Sequence, residues 1–165
     1  MDTDVIVNAA NSSLMGGGGV DYAIHKKGGH LILEECKKIR KNRYPLGLST
    51  GEAVLTSGGE LKTKFVIHTV GPIWTGGNHG EPQKLKKSYN SSLILASKKG
   101  LSSISFPSIS TGAYNYPIKE ASIIALQTIK NFVANNSDIH KIVLVLFSKK
   151  IFNIYSITAH RLFIE

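Results

Sequence analysis

Two side chains that can do chemistry flank a run of four glycines, Gly16 to Gly19: Asn11 before it and Asp21 after it. A carboxylate beside a bound substrate can orient a water or take its proton. Asp near a helix start is equally the residue that caps it. Asn offers a donor and an acceptor together, the pair that matches two neighbouring hydroxyls, and it is also a common turn residue. Consecutive glycines lose much backbone entropy on folding. They make sense where a backbone wraps a ligand at contact distance, and also occur in flexible surface loops. No Gly-Lys-Ser/Thr follows, so this is not a Walker loop, and no acid-ended second strand supports a dinucleotide fingerprint.

A second small-residue stretch runs from Phe106 through Pro107-Ser108-Ile109-Ser110-Thr111-Gly112-Ala113-Tyr114-Asn115-Tyr116 to Pro117. It joins a β-like run to a helical pattern, and unpaired N–H groups at a helix start favour an anion. Pro117 suits the first helical position. Ser110 and Thr111 add hydroxyl donors. An ordinary Ser/Gly-rich connection would read the same way. His25 lies four residues after Asp21 and His68 lies inside an apolar run, so structural roles are expected for both. The 6 histidines and the single cysteine, Cys36, show no zinc spacing and no His–Cys ligand pair. No Ser-His-Asp order is evident. Neither metal nor cofactor is expected.

The elements that must position these residues follow from hydrophobic period. Strands are expected at Asp4–Val7, around Ala53–Leu55, at 65–70, 103–106 and 142–147, with Asn8 ending the first. Helical patterns cover about Val20 to Ile39, broken at Gly28-Gly29, then Gln83 to Lys98, Ile118 to Val133, and Ile151 to Phe163. Gly71 to Pro82 reads as a Gly/Pro-rich loop with the only tryptophan, Trp74. Alternating apolar strands and helices predict an α/β sandwich with its sheet covered on both faces. Ligands in such folds bind beyond the carboxyl ends of strands. The loops after Val7 and Phe106 both lie there, which argues for one shared site.

The chain has 165 residues, 42% hydrophobic and 19% charged, which fits a single globular domain spanning 1–165. One cysteine allows no internal disulfide. The first residues lack a basic, apolar leader and no run is long enough to span a bilayer, so an intracellular protein, cytoplasmic or nuclear and not secreted, is expected. Two Asn-Ser-Ser triplets, at Asn11 and Asn90, are then chance matches to a glycosylation pattern. The net charge of +9 favours anionic partners. The lysines come in scattered pairs that do not interleave with aromatics as a single-strand platform would.

Taken together, four segments resemble the macro domain family, in its MacroD-like branch. They are Asn8-Ala9-Ala10-Asn11-Ser12-Ser13-Leu14; Gly16 to Asp21 with Ile24-His25; Val66-Ile67-His68-Thr69-Val70-Gly71-Pro72; and Phe106 to Gly112. Their order and spacing run to about Tyr155. The resemblance implies a three-layer α/β/α sandwich with a mixed central sheet that binds ADP-ribose. Many MacroD-like members remove ADP-ribose from acidic side chains or deacetylate O-acetyl-ADP-ribose. By position, Asn11 would hold the distal ribose and Asp21 would be the catalytic carboxylate. Ala10, Gly18, Gly19 and Val20 would line that ribose and the nearby phosphate. Ile109, Ser110, Thr111, Gly112, Ala113 and Tyr114 would form the diphosphate loop, with Tyr114 on the distal ribose and Phe147 near the adenine. The family mechanism is open between activation of water by the aspartate and help from a substrate phosphate.

Family members carry roughly 15 to 20 further residues ahead of the first strand, about one or two strands' worth. That part supplies an edge strand and a Gly-Asp-Ile-like turn whose aspartate reads the adenine amino group. Either the true start lies upstream or the protein lacks both features; in the second case a sheet without that edge strand, weaker adenine selectivity and lower sheet stability are expected. Asn115 stands where glycine is common in the family. Three functions follow as expectations: a hydrolase, a non-catalytic ADP-ribose reader, and a weak nucleic-acid binder with salt-dependent affinity. Expected partners are ADP-ribose or O-acetyl-ADP-ribose and mono-ADP-ribosylated proteins, with no membrane association and a monomeric state.

Overall fold

Runs of β-branched and aliphatic residues form a five-stranded sheet: β1 Val5–Ala10, β2 Ala53–Ser57, β3 Phe65–Val70, β4 Ser103–Pro107 and β5 Lys141–Val145, in the order β2-β3-β1-β4-β5. The computed structural model describes residues 2–164. β1 pairs in parallel with β3 and β4, and β4 with β5, while β2 runs antiparallel to β3. The sheet is therefore mixed, and β5 forms one edge. The helices are α1 Gly19–Gly28, α2 His30–Arg43, α3 Glu81–Lys98, α4 Ile118–Asn135 and α5 Lys149–Phe163.

Alternation along the strands splits the core in two. Val5, Val7 and Ile67 pack with Leu85, Tyr89 and Leu93 of α3, Ala125 and Ile129 of α4 and Tyr155 of α5. Val54, Val66 and Val70 face the other way, onto Ile24 of α1 and Ile32 and Cys36 of α2. The result is the expected three-layer α/β/α sandwich, its central strands apolar on both faces.

Element ends differ from the sequence reading for identifiable reasons. β1 does not stop at Asn8. Its register with β3 continues to Ala10 opposite Val70, and Asn8, fully buried opposite His68, finds side-chain partners. The break expected at Gly28-Gly29 is present, and Gly29 parts α1 from α2. α3 begins at Glu81, before Pro82, because proline in a first turn leaves no N–H unpaired. Pro117 stands as the cap of α4 and not as its first helical residue. β5 ends at Val145, leaving Phe147 outside it and fully exposed. No described helix is long and apolar enough to cross a membrane.

Candidate functional site

A cavity of about 690 Å³ opens where β1 and β4, neighbours in the sheet, reach their carboxyl ends. Ala10, Asn11, Gly18, Gly19, Val20 and Asp21 line it from the first loop and the start of α1. Ile109, Ser110, Thr111, Gly112, Ala113 and Tyr114 line it from the loop after β4, and Phe147 stands at its rim. The residues that the resemblance assigns to ligand and catalysis thus border one space. Parallel pairing of β1 with β4 is what brings the two loops together.

Asp21 lies in the first turn of α1, only 3% exposed. Its Oδ1 accepts from Asn8 Nδ2 at 2.7 Å and lies 3.4 Å from His25 Nε2. Burial pushes the Asp21 carboxyl up, and the Asn8 hydrogen bond and nearby His25 only partly offset this. The second hydrogen of the Asn8 amide reaches His68 Nδ1 at 3.1 Å, and His68 Nε2 lies 2.9 Å from Thr56 Oγ1. Burial, with His25 nearby, pushes His68 down to about 3, so the ring is neutral. Nδ1 then accepts, and Nε2–H donates to Thr56, whose hydroxyl donates to the Ser57 carbonyl at 3.0 Å. The chain Thr56–His68–Asn8–Asp21 is one satisfied polar thread through the sheet face beneath α1 and α2. Only Asn8 Oδ1 is left without a partner.

One expectation is corrected here. The sequence spacing shows no His–Cys ligand pair, yet the fold brings His25, Cys36 and His68 within 4.8 Å of one another. The residues come from α1, α2 and β3, so no linear motif records them. The His68 Nε2–H is already spent on Thr56, and burial, together with Asp21 and Glu35, pushes the Cys36 thiol up to about 12, which keeps it protonated. Cys36 Sγ lies 3.8 Å from His68 Nε2 and the His25 and His68 ring centroids are 5.9 Å apart, so the trio packs together in the core.

Asn11 builds its own turn. Its Nδ2 donates to the Gly16 carbonyl at 3.0 Å, and its Oδ1 accepts from the Ser13 N–H at 3.0 Å. One Nδ2 hydrogen remains for a ligand. Gly17 is held between the two polar side chains: a Cβ there would sit 3.0 Å from both Asn11 Nδ2 and Asp21 Oδ2.

The loop after β4 is anchored from below. The Ile109 N–H donates to Tyr89 Oη at 3.2 Å, Ser108 Oγ pairs with Tyr155 Oη at 2.8 Å, and the Tyr116 N–H closes back onto the Ser110 carbonyl at 3.0 Å. Ser110 adopts φ +66°, and its buried hydroxyl has no partner. A Cβ on Gly71, beyond the end of β3, would fall 2.2 Å from that hydroxyl, so only glycine fits. Among the described residues, the backbone N–H groups of Gly112, Ala113 and Tyr114 have no intramolecular partner. Successive free N–H groups make an anion cradle. The helix start facing the cavity is that of α1, with Gly18 as cap and no side-chain cap bond. The sequence reading gave that part to the helix after Pro117, but α4 starts beyond the last lining residue of its loop. Asn115 holds φ +54°, a conformation that glycine and asparagine tolerate.

Residues 7–125 match the family model described as Macro domain. The chain belongs to the macro domain family. The macro domain-containing protein TTE0995 of Caldanaerobacter subterraneus subsp. tengcongensis is 52% identical over 155 residues, 94% of this chain and 87% of that protein. A Pantoea vagans protein named O-acetyl-ADP-ribose deacetylase 2 is 48% identical over 153 residues, 93% of this chain and 88% of that one. Among solved structures, a mutant Oceanobacillus iheyensis macrodomain with ADPR superposes with TM-score 0.96 at 47% identity, covering 100% of this chain and 89% of that one. A Trypanosoma brucei macrodomain in complex with ADP-ribose gives 0.84 at 40%, covering 93% and 62%.

Sequence reasoning missed Asn8, Gly17 and Gly71. For Asn8 a signal existed: an amide placed directly after Val5-Ile6-Val7, where a buried strand would need a partner for it. The two glycines carry no signal without the neighbours that crowd them.

Proposed function

We propose that this macro domain binds ADP-ribose and hydrolyses it from acidic side chains, from O-acetyl-ADP-ribose, or from both. The observation that carries the reading is Asp21, a buried carboxylate with raised proton affinity on the wall of the cavity, beside Asn11. The relatives support it: one is named for O-acetyl-ADP-ribose deacetylation, and similar macrodomains are described with ADPR and ADP-ribose.

In this reading the free N–H groups of Gly112, Ala113 and Tyr114 and the start of α1 hold the diphosphate, whose charge they match. Ala10, Gly18, Gly19 and Val20 border the distal ribose, Asn11 gives its remaining amide hydrogen to a ribose hydroxyl, and Tyr114 packs on the sugar. Ile109, Ser110 and Thr111 complete the phosphate loop, and Phe147 covers the adenine edge. Asp21 takes a proton from water as the water oxygen attacks the ester. As the ester C–O bond breaks, Asp21 returns that proton to the departing oxygen, and ADP-ribose and a carboxylic acid leave.

The test is release of ADP-ribose from a protein mono-ADP-ribosylated on glutamate, wild type beside Asp21→Ala. Release by wild type alone supports the hydrolase. Release by both removes Asp21 from the mechanism. Release by neither, with a rise in Tm on adding ADP-ribose, makes the domain a reader.

A further inference from the structure

A second groove, of about 560 Å³, lies on the other side of the glycine run from the cavity. Its walls are Met15, Tyr22 and Leu33, with Lys26 and His30 among the polar residues and no carboxylate lining it. Met15 is 39% exposed and Tyr22 57%, and Lys26 Nζ stands 5.5 Å above the Tyr22 ring. An apolar floor with a cationic, aromatic margin is a surface for a polypeptide that carries negative charge.

Two residues join this groove to the catalytic end of the cavity. Gly17 lines both spaces, and a Cβ built on it would lie 3.0 Å from Asp21 Oδ2 and Asn11 Nδ2. His25 lines the groove while its Nε2 lies 3.4 Å from Asp21 Oδ1. A group attached to the sugar at Asp21 therefore has the groove as a neighbouring surface. An acetyl ester ends in one methyl group, whereas a peptide chain extends in both directions from the modified side chain and can follow the groove past Tyr22 and Lys26. The chain's net charge of +9 has the same sign as the groove and draws acidic partners toward it.

We infer that this groove receives the acidic polypeptide flanking an ADP-ribosylated carboxylate, with Tyr22 and Lys26 selecting protein substrates over small esters. The inference rests on the hydrolase reading above. It adds the surface that reads the polypeptide around the modified side chain.

The test compares O-acetyl-ADP-ribose with a peptide mono-ADP-ribosylated on glutamate within an Asp/Glu-rich sequence, using wild type, Lys26→Glu and Tyr22→Ala. Lys26→Glu is expected to raise KM for the acidic peptide about tenfold, more at low salt than at high, with kcat and O-acetyl-ADP-ribose turnover unchanged. A peptide with lysine flanks should recover KM in the same variant. Unchanged KM for the acidic peptide in both variants, or equal loss on the two substrates, overturns the inference. If wild type turns over neither substrate, the hydrolase reading has failed and the groove is read by binding instead. An acidic peptide carrying ADP-ribose through a non-hydrolysable link should then bind about tenfold tighter than free ADP-ribose, and Lys26→Glu should erase the difference. Equal affinities in wild type overturn the inference.

Discussion

Asn8 donates to Asp21 across 2.7 Å from the middle of β1, and the same amide reaches His68 at 3.1 Å. One side chain thus fixes the position of a carboxylate and the tautomer of an imidazole. Asn8→Ala leaves the buried His68 Nδ1 without its donor and Asp21 with only His25 nearby, at a cost of about 2–3 kcal/mol in chemical denaturation. It also removes a bond that favours the ionised carboxylate, so the Asp21 carboxyl moves further up. The acid limb of the turnover profile should shift to higher pH in Asn8→Ala. A limb that stays in place would separate Asn8 from the chemistry.

Asp21 itself works against the fold at neutral pH. Burial raises its folded value above the ordinary 3.8. Its contribution therefore favours the fold below that ordinary value and is lost as pH rises through the folded one. Asp21→Asn keeps the oxygen that accepts from Asn8 and removes the charge. Tm should rise relative to wild type at pH 7 and not at pH 3. Turnover should fall about 100-fold or more, with ADP-ribose affinity within about tenfold, roughly 1.4 kcal/mol. A Tm lowered at pH 7 would contradict this account.

Neighbouring glycines should behave differently. A Cβ on Gly17 crowds Asn11 and Asp21 at 3.0 Å, whereas one on Gly18 meets nothing within 4 Å. Gly17→Ala should lower kcat about tenfold by displacing the two polar groups. Gly18→Ala should match wild type in Tm. Equal kinetics for the two variants would show that the site has slack the structure does not suggest.

Glu81 gives the molecule an acid limit. It is 1% exposed and accepts from Thr75, Gly77 and His79, bonds that outweigh burial and hold its carboxyl at about 2, against an ordinary 4.5. A depressed carboxyl stabilises above its unfolded value and loses that contribution as pH falls through the folded one. Wild type should lose stability between about pH 4.5 and pH 2 more steeply than Glu81→Gln. Trp74 fluorescence reports it, since Trp74 adjoins Thr75 and its backbone N–H donates to the Tyr114 carbonyl at 2.9 Å.

The alternation of strands and helices made most of the fold legible, because Val5-Ile6-Val7 and Phe65-Val66-Ile67 are apolar at successive residues, as strands covered on both faces are. The lining of the site was legible too, since Asn11, Asp21 and the Ser110–Tyr114 run sit in loops whose composition marks them. What supports the site was not. Asn8, Thr56 and His68 meet only once β1, β2 and β3 are in register, and no spacing along the chain encodes that register. The His25–Cys36–His68 cluster was hidden for the same reason. The role of α1's start in place of α4's turned on where Pro117 stood relative to the helix, a matter of one residue.

Ser110 sits at φ +66°, locked beneath Gly71 and tied back through Tyr116. In the proposed reading, a loop held in that shape at Ser110 before the ligand arrives is expected to receive it without a separate closing step. The consequence is kinetic. Diphosphate capture at this loop should be a single encounter step whose rate scales linearly with ligand concentration, and differences in affinity among ligands should lie in how slowly they leave.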